Sequence, residues 1–335
     1  MREGHIGFRV TRSFHEGAWI VSRYDRELAP HVADLAAVDL TDVAAARIEM
    51  DRTRRAMAGE IELRGVTWSD GTIDGQAFGV PVRVYEAEER VETPTPCVVF
   101  LHGGGFVMGD IESEHLAAGV LSTALGIVVV SVDYRLAPEH PYPAALDDAF
   151  AALRWTHEMS ERLHLDPDRI AVLGHSAGGG LAAALAIRAR DEGGPRICFQ
   201  YLGIPELDDR LTTPSSRAFV DTPLWNRSAA ELSWKYYLGA LHGSDSVPVT
   251  AAPGRARAEE LAGLPPAYIS AMANDPLRDE GIGYALNLMA AGVSVELHAF
   301  AGTFHGSSQL PAAVSKRDRR EMLTVLRAAF DLPAK

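Results

Sequence analysis

The sequence predicts an α/β fold, a mostly parallel sheet of eight strands flanked by helices. Two observations carry this. Short apolar runs recur at 97–101, 127–133, 170–174, 197–203, 266–272 and 294–299, and helical patterns lie between or after them, near 113–125, 143–164, 177–191, 279–291 and 317–330. Strands alternating with helices imply parallel neighbours joined by right-handed crossovers. The length of 335 residues suits one large core.

Taken in order, residues 1–60 stand outside the alternation, and within them 42–57 reads as a helix rich in Arg and Glu. Residues 61–68 and 81–87 read as two strands around the turn-rich Ser69-Asp70-Gly71, and this pair predicts an antiparallel edge. Cys97-Val98-Val99-Phe100-Leu101 is an uninterrupted apolar strand that runs into His102-Gly103-Gly104-Gly105. Arg169-Ile170-Ala171-Val172-Leu173 reads as a buried strand and is followed by a helical run from Gly179. Residues 205–245 interrupt the alternation again, with Trp225, Trp234, Tyr236 and Tyr237 on an otherwise polar helical pattern. Two last strand candidates end near Asn274-Asp275 and near Phe304-His305.

The junction between the 170–174 strand and its helix is Gly174-His175-Ser176-Ala177-Gly178, a G-x-S-x-G sequence. A serine on a sharp strand-to-helix turn has its hydroxyl pushed out above the sheet. Flanking glycines admit the strained turn and let strand and helix approach closely. The motif alone is weak, and its position between strand and helix gives it meaning. The three glycines after His102 leave backbone N–H groups free of side chains, and such a loop can point donors at a developing oxyanion. The loop precedes the serine, as an α/β-hydrolase requires.

A serine needs a base, and the base needs an orienting acid. Asp275 and His305 each lie just past a strand's carboxyl end, where open α/β sheets place their ligands. The chain order Ser176, Asp275, His305 is the hydrolase order. Ser176 is then the nucleophile, His305 the general base, and Asp275 the group that fixes the imidazole tautomer. His298 competes for the base, but it lies within a strand pattern on the same face as Phe300 and reads as a packed or surface histidine. Asp279 competes for the acid and reads as an exposed residue at a helix start.

Together these motifs resemble the bacterial hormone-sensitive-lipase-like carboxylesterases of the α/β-hydrolase superfamily. The resemblance rests on His102-Gly103-Gly104-Gly105-Phe106, on Asp133-Tyr134-Arg135-Leu136-Ala137-Pro138-Glu139-His140-Pro141-Tyr142-Pro143-Ala144-Ala145, on the run from Gly174 to Gly179, on Asp275-Pro276-Leu277-Arg278-Asp279-Glu280-Gly281, and on His305-Gly306. It covers roughly residues 61–332. It implies an oxyanion hole from the N–H groups of Gly103, Gly104 and Ala177. The 133–139 stretch would buttress that loop, and 1–60 with 205–245 would form a helical cap over a catalytic domain spanning 61–335. Phe106 and Trp225 are the pocket candidates. The implied reaction is hydrolysis of short- to medium-chain carboxylic esters through an acyl-enzyme, without metal or organic cofactor. An amidase or lactonase could use the same triad. A non-catalytic binder of this fold, such as the gibberellin receptors, lacks the histidine that this chain keeps as His305. Two departures stand out. His175 replaces the family's usual acidic residue, which removes negative charge near His305, and Ser307 replaces a frequent aromatic.

Composition narrows the rest. A net charge of −13 argues against a nucleic-acid surface, which needs clustered Lys and Arg. Cys97 and Cys198 lie in apolar runs and read as buried, reduced thiols. No H-E-x-x-H and no C-x-x-C occurs, so no metal is expected. No apolar run is long enough to span a bilayer, and Met1 to Arg9 carry no secretory core, which points to the cytoplasm. The partner expected is a small-molecule ester, and a homodimer is compatible with the sequence.

Overall fold

The computed structural model describes residues 23–58, 63–74 and 79–333. The first 22 residues of the expected N-terminal cap segment, and its last two, lie outside these.

Eight strands form one sheet: β1 (Val66–Asp74), β2 (Gly79–Ala87), β3 (Thr95–Leu101), β4 (Val128–Val132), β5 (Leu165–His175), β6 (Phe199–Gly203), β7 (Ala267–Asn274) and β8 (Val295–Phe304). Their order is β1-β2-β4-β3-β5-β6-β7-β8. β2 runs antiparallel to both neighbours, and β3 to β8 run parallel. Every residue of β3, β4 and β6 is buried, as expected of strands covered on both faces.

The sheet is accompanied by helices α1 (Val43–Ala58), α2 (His115–Leu125), α3 (Ala144–Glu158), α4 (Ala177–Asp191), α5 (Pro214–Ala218), α6 (Arg227–Leu238), α7 (Arg278–Ala290) and α8 (Ala313–Ala329). α3, α4 and α7 bury their apolar sides in the larger core on one face of the sheet, through residues such as Leu153, Leu181 and Leu288. α2 and α8 cover the other face, through Leu121 and Leu326. α4 is buried almost all round, because its first turns are glycine and alanine. A Cβ on Gly178 would sit 2.1 Å from the carbonyl oxygen of Leu101, so only glycine lets this helix approach β3 so closely.

The chain leaves β3 toward β4, then crosses back past β3 to β5. Connections that diverge in opposite directions open a crevice at the strands' carboxyl ends, and that crevice lies between β3 and β5. The glycine loop follows β3 and Ser176 follows β5, so topology alone brings the two motifs together.

One turn expectation is overturned. Ser69-Asp70-Gly71 is not a turn but the middle of β1. Asp70 stands directly opposite Arg83 in the register, and Arg83 donates to both its carboxylate oxygens, at 2.5 and 3.0 Å. This cross-strand ion pair and the continuing ladder outweigh a local turn preference. The antiparallel edge itself is present.

Both segments outside the alternation contact the carboxyl end of the sheet. In the first, Arg47 on α1 donates to the carbonyls of Val107 and Ala137 and takes Glu139 in a two-pronged ion pair at 2.8 and 2.7 Å. Arg47 holds the Glu139 carboxyl down at about 2. In the second, Trp234 and Tyr237 of α6 are buried, whereas Trp225 precedes the helix, whose N-cap is Asn226. The two segments also meet each other through a bridge between Ala37 and Leu224. Cys97 is buried and Cys198 half-buried, and both are free thiols. Among the described residues, no helix is long and apolar enough to cross a membrane.

Candidate active site

β5 ends at His175, and Ser176 turns the chain into α4 with φ 57° and ψ −123°. For a non-glycine residue this is strained, and the surroundings hold it. The Ser176 N–H donates to the Gly203 carbonyl at 2.8 Å, and its own carbonyl accepts from Gly180 and Glu206, each at 3.0 Å. The loop after β6 therefore braces the turn from the far side.

His305 stands just past β8 and Asp275 just past β7. His305 Nε2 lies 2.9 Å from Ser176 Oγ, and His305 Nδ1 lies 2.7 Å from Asp275 Oδ2. Asp275 is buried, and its second oxygen accepts the Leu277 N–H at 2.9 Å. The three residues expected from the sequence form one hydrogen-bonded chain. The competitors lie elsewhere. His298 packs flat on Phe300, 3.9 Å between centroids, and pairs with Glu321. Asp279 is not free and exposed as expected. Its carboxylate accepts the Ser215 N–H at 2.7 Å and pairs with Arg278, so it anchors the start of α5.

The glycine loop is folded tightly beside the turn. A Cβ on Gly103 would sit 3.1 Å from the His175 carbonyl oxygen. Gly104 has φ +120°, and a Cβ there would lie 2.2 Å from the Met108 carbonyl oxygen, so glycine is required. His102 stacks on Tyr134 at 4.0 Å, its Nδ1 donates to the Gly103 carbonyl, and the Tyr134 hydroxyl donates to the His102 carbonyl at 2.7 Å. Burial pushes His102 down to about 4, so it is a neutral strut. Ala177 is the first residue of α4, and an N–H in a helix's first turn has no partner inside the helix.

A family model described as alpha/beta hydrolase fold matches residues 98–309. The carboxylesterase NlhH of Mycobacterium tuberculosis is 43% identical over 273 residues, covering 81% of this chain and 83% of the relative. Esterase LipI of the same organism is 44% identical over 265 residues, covering 77% and 80%. Among solved structures, a bacterial heroin esterase superposes with a TM-score of 0.89 at 46% identity, over 93% of this chain and 99% of that one.

The chain belongs to the hormone-sensitive-lipase-like branch of the α/β hydrolases. Like these relatives it is a serine carboxylesterase.

In this esterase the two pocket candidates differ in setting. Trp225 is buried with its ring 5.8 Å from that of His305. Phe106 stacks on Tyr237 at 4.0 Å and leans on Trp234, so its contacts join α6 to the glycine loop. His175 points to the opposite face of the sheet, against the rings of Phe100 and Tyr201. Burial, and then the charge of His305, push it down to about 4, so it is neutral over the working range. A carboxylate in its place adds negative charge near His305, which favours the imidazolium over the neutral base. His175→Asp is expected to stay active, with the acidic limb of kcat/KM moved upward and stability lowered by about 2 kcal/mol. A pH–rate profile and a thermal melt check this. Loss of all activity in folded His175→Ala would make the ring itself a working catalytic group.

Three groups around the site escaped the sequence reading. Arg47 is one. Glu114 is another: its carboxyl faces the Gly103 amide, and burial raises it to about 7. The third is Glu206, fully buried just after β6. Each is a single charged residue with no motif around it. Glu206 alone carries a signal in the sequence, as a carboxylate three residues past an apolar strand's end.

Proposed function

We propose that Ser176 attacks the ester carbonyl while His305 takes its proton, with Asp275 steadying the imidazolium. The single observation that carries this reading is the unbroken chain Ser176–His305–Asp275, at 2.9 and 2.7 Å. The tetrahedral oxyanion is held by the N–H groups of Gly104 and Ala177, whereas the Gly103 N–H, the third donor expected from the sequence, is turned to the Glu114 carboxyl. Collapse expels the alcohol, which receives the proton from His305 and leaves Ser176 acylated. Water then enters, gives a proton to His305 and attacks the acyl carbon. His305 returns that proton to Ser176 Oγ, and the carboxylic acid departs.

Residues 1–60 and 205–245 act in this reading as a cap on a catalytic domain spanning 61–335. The support is the docking of α1 through Arg47 and of α6 through Phe106. Trp225, beside His305, and Phe106 shape the pocket. A homodimer fits the exposed Leu286 and Met289 on α7, which adjoins the edge strand β8. Two free thiols fit a reducing compartment such as the cytoplasm. Sedimentation of the purified chain tests the dimer, and fractionation of the source cells tests the location.

The substrate class proposed is esters of short to medium acyl chains. Aromatic side chains are packed closely around the site, and a structural relative is named for a small-molecule ester. Across a nitrophenyl ester series, kcat/KM is expected to peak between about two and eight acyl carbons, because packed aromatic side chains leave little room for further methylenes. Preference for long-chain triglyceride emulsions over short esters would overturn this.

A further inference from the structure

Glu206 is fully buried on the loop that braces the Ser176 turn, and no step of the reaction above uses it. Its Oε1 lies 2.8 Å from Ser233 Oγ on α6, and the same Oγ lies 3.0 Å from the carbonyl oxygen of Gly105. Gly105 is the last glycine of the loop after β3. The three groups form a line from the far side of the nucleophile turn, through the inserted segment, to the oxyanion loop.

Counting protons fixes the direction of this line. A serine hydroxyl has one proton. If Glu206 were ionised, Ser233 would face two acceptors and could serve only one. The other contact would become an oxygen–oxygen repulsion in a dry site. If Glu206 carries a proton, it donates to Ser233 Oγ and Ser233 donates to the Gly105 carbonyl, so both contacts are satisfied. Among the described residues Glu206 Oε2 has no hydrogen-bond partner, and a neutral carbonyl-type oxygen tolerates that far better than half of a buried carboxylate.

We propose that Glu206 is a positioning residue, a neutral carboxylic acid whose proton, relayed through Ser233, clamps the Gly105 carbonyl and so holds the oxyanion loop in register with Ser176. The inference rests on the oxyanion role given to that loop above.

The surroundings agree. Asp275 after β7 acts on Glu206, and Glu206 in turn acts on Glu280 of α7, Tyr237 of α6 and Tyr134 after β4, all of them acids. Burial first, and then the charge of Asp275, raise Glu206 to about 8. The sign follows. A group with a raised pKa is protonated below that value, so the clamp is present at neutral pH and is lost as pH rises through about 8.

The test is the pH dependence of kcat and KM for nitrophenyl acetate hydrolysis by the full chain, read at a wavelength insensitive to nitrophenol ionisation. Wild type is expected to lose kcat through a basic limb near 8 with KM little changed. Glu206→Gln keeps a neutral donor toward Ser233, so that limb should be absent from its profile. Glu206→Leu and Ser233→Ala lack the relay and should each lose about ten- to hundred-fold in kcat at neutral pH, as a misplaced donor loop does. An unchanged basic limb in Glu206→Gln, or full kcat in folded Glu206→Leu, overturns the proposal. If Glu206→Leu does not fold, the Glu206→Gln profile decides. Wild-type activity and its burst of nitrophenol report on the acyl-enzyme reading independently.

Discussion

Ser176→Ala should lose about a million-fold in turnover while folding normally. The change removes the hydroxyl 2.9 Å from His305 Nε2 and leaves the imidazole, Asp275 and the glycine loop in place. What remains is binding and oxyanion stabilisation, and these alone cannot replace a covalent acyl-enzyme. Alanine adopts the φ of 57° no less readily than serine does, and the Gly203, Gly180 and Glu206 backbone bonds that hold the turn do not involve the side chain. The melting temperature should therefore barely move. The decisive measurement pairs steady-state hydrolysis of a short nitrophenyl ester with intact-mass detection of the acylated chain. Wild type should show the acyl adduct and the variant none. Near-normal turnover by the variant, in a preparation free of other esterases, would remove Ser176 from the mechanism.

The parts legible in the sequence share one property, which is that their signal is local. β3, β5 and α4 announce themselves as uninterrupted apolar runs and a small-residue helix, and the motifs sit at their ends. Asp275 and His305 are readable because each follows a strand's carboxyl end, where open α/β sheets place their ligands. The misreadings have the opposite character. Ser69-Asp70-Gly71 has every local mark of a turn, yet Arg83 opposite Asp70 keeps the strand going. Asp279 looks exposed in the sequence because its partner Ser215 lies 64 residues away. The Glu206–Ser233–Gly105 line joins three segments separated by 27 and 128 residues, and none of the three carries a motif that points to the others. Long-range polar pairing is what a single sequence conceals. It is also where this esterase holds its loops in place.

Asp275→Asn should cost about ten-thousand-fold in kcat, with the fold retained. The reason lies in which way the new amide must face. Asp275 Oδ1 accepts the Leu277 N–H at 2.9 Å, so an asparagine keeps its carbonyl oxygen there and turns its NH2 toward His305 Nδ1. Two donors cannot face each other. The imidazole would then carry its proton on Nε2 and present no lone pair to Ser176. The base would be intact in position and wrong in tautomer. Asp279→Asn makes the contrast, because its carboxylate holds the Ser215 N–H and Arg278 rather than the imidazole. That variant should lose some melting temperature as α5 loosens, and should keep kcat within about tenfold of wild type. Measuring kcat and thermal stability for both variants separates the roles. A large catalytic loss at 279 with little at 275 would transfer the orienting acid to Asp279 and break the chain proposed here.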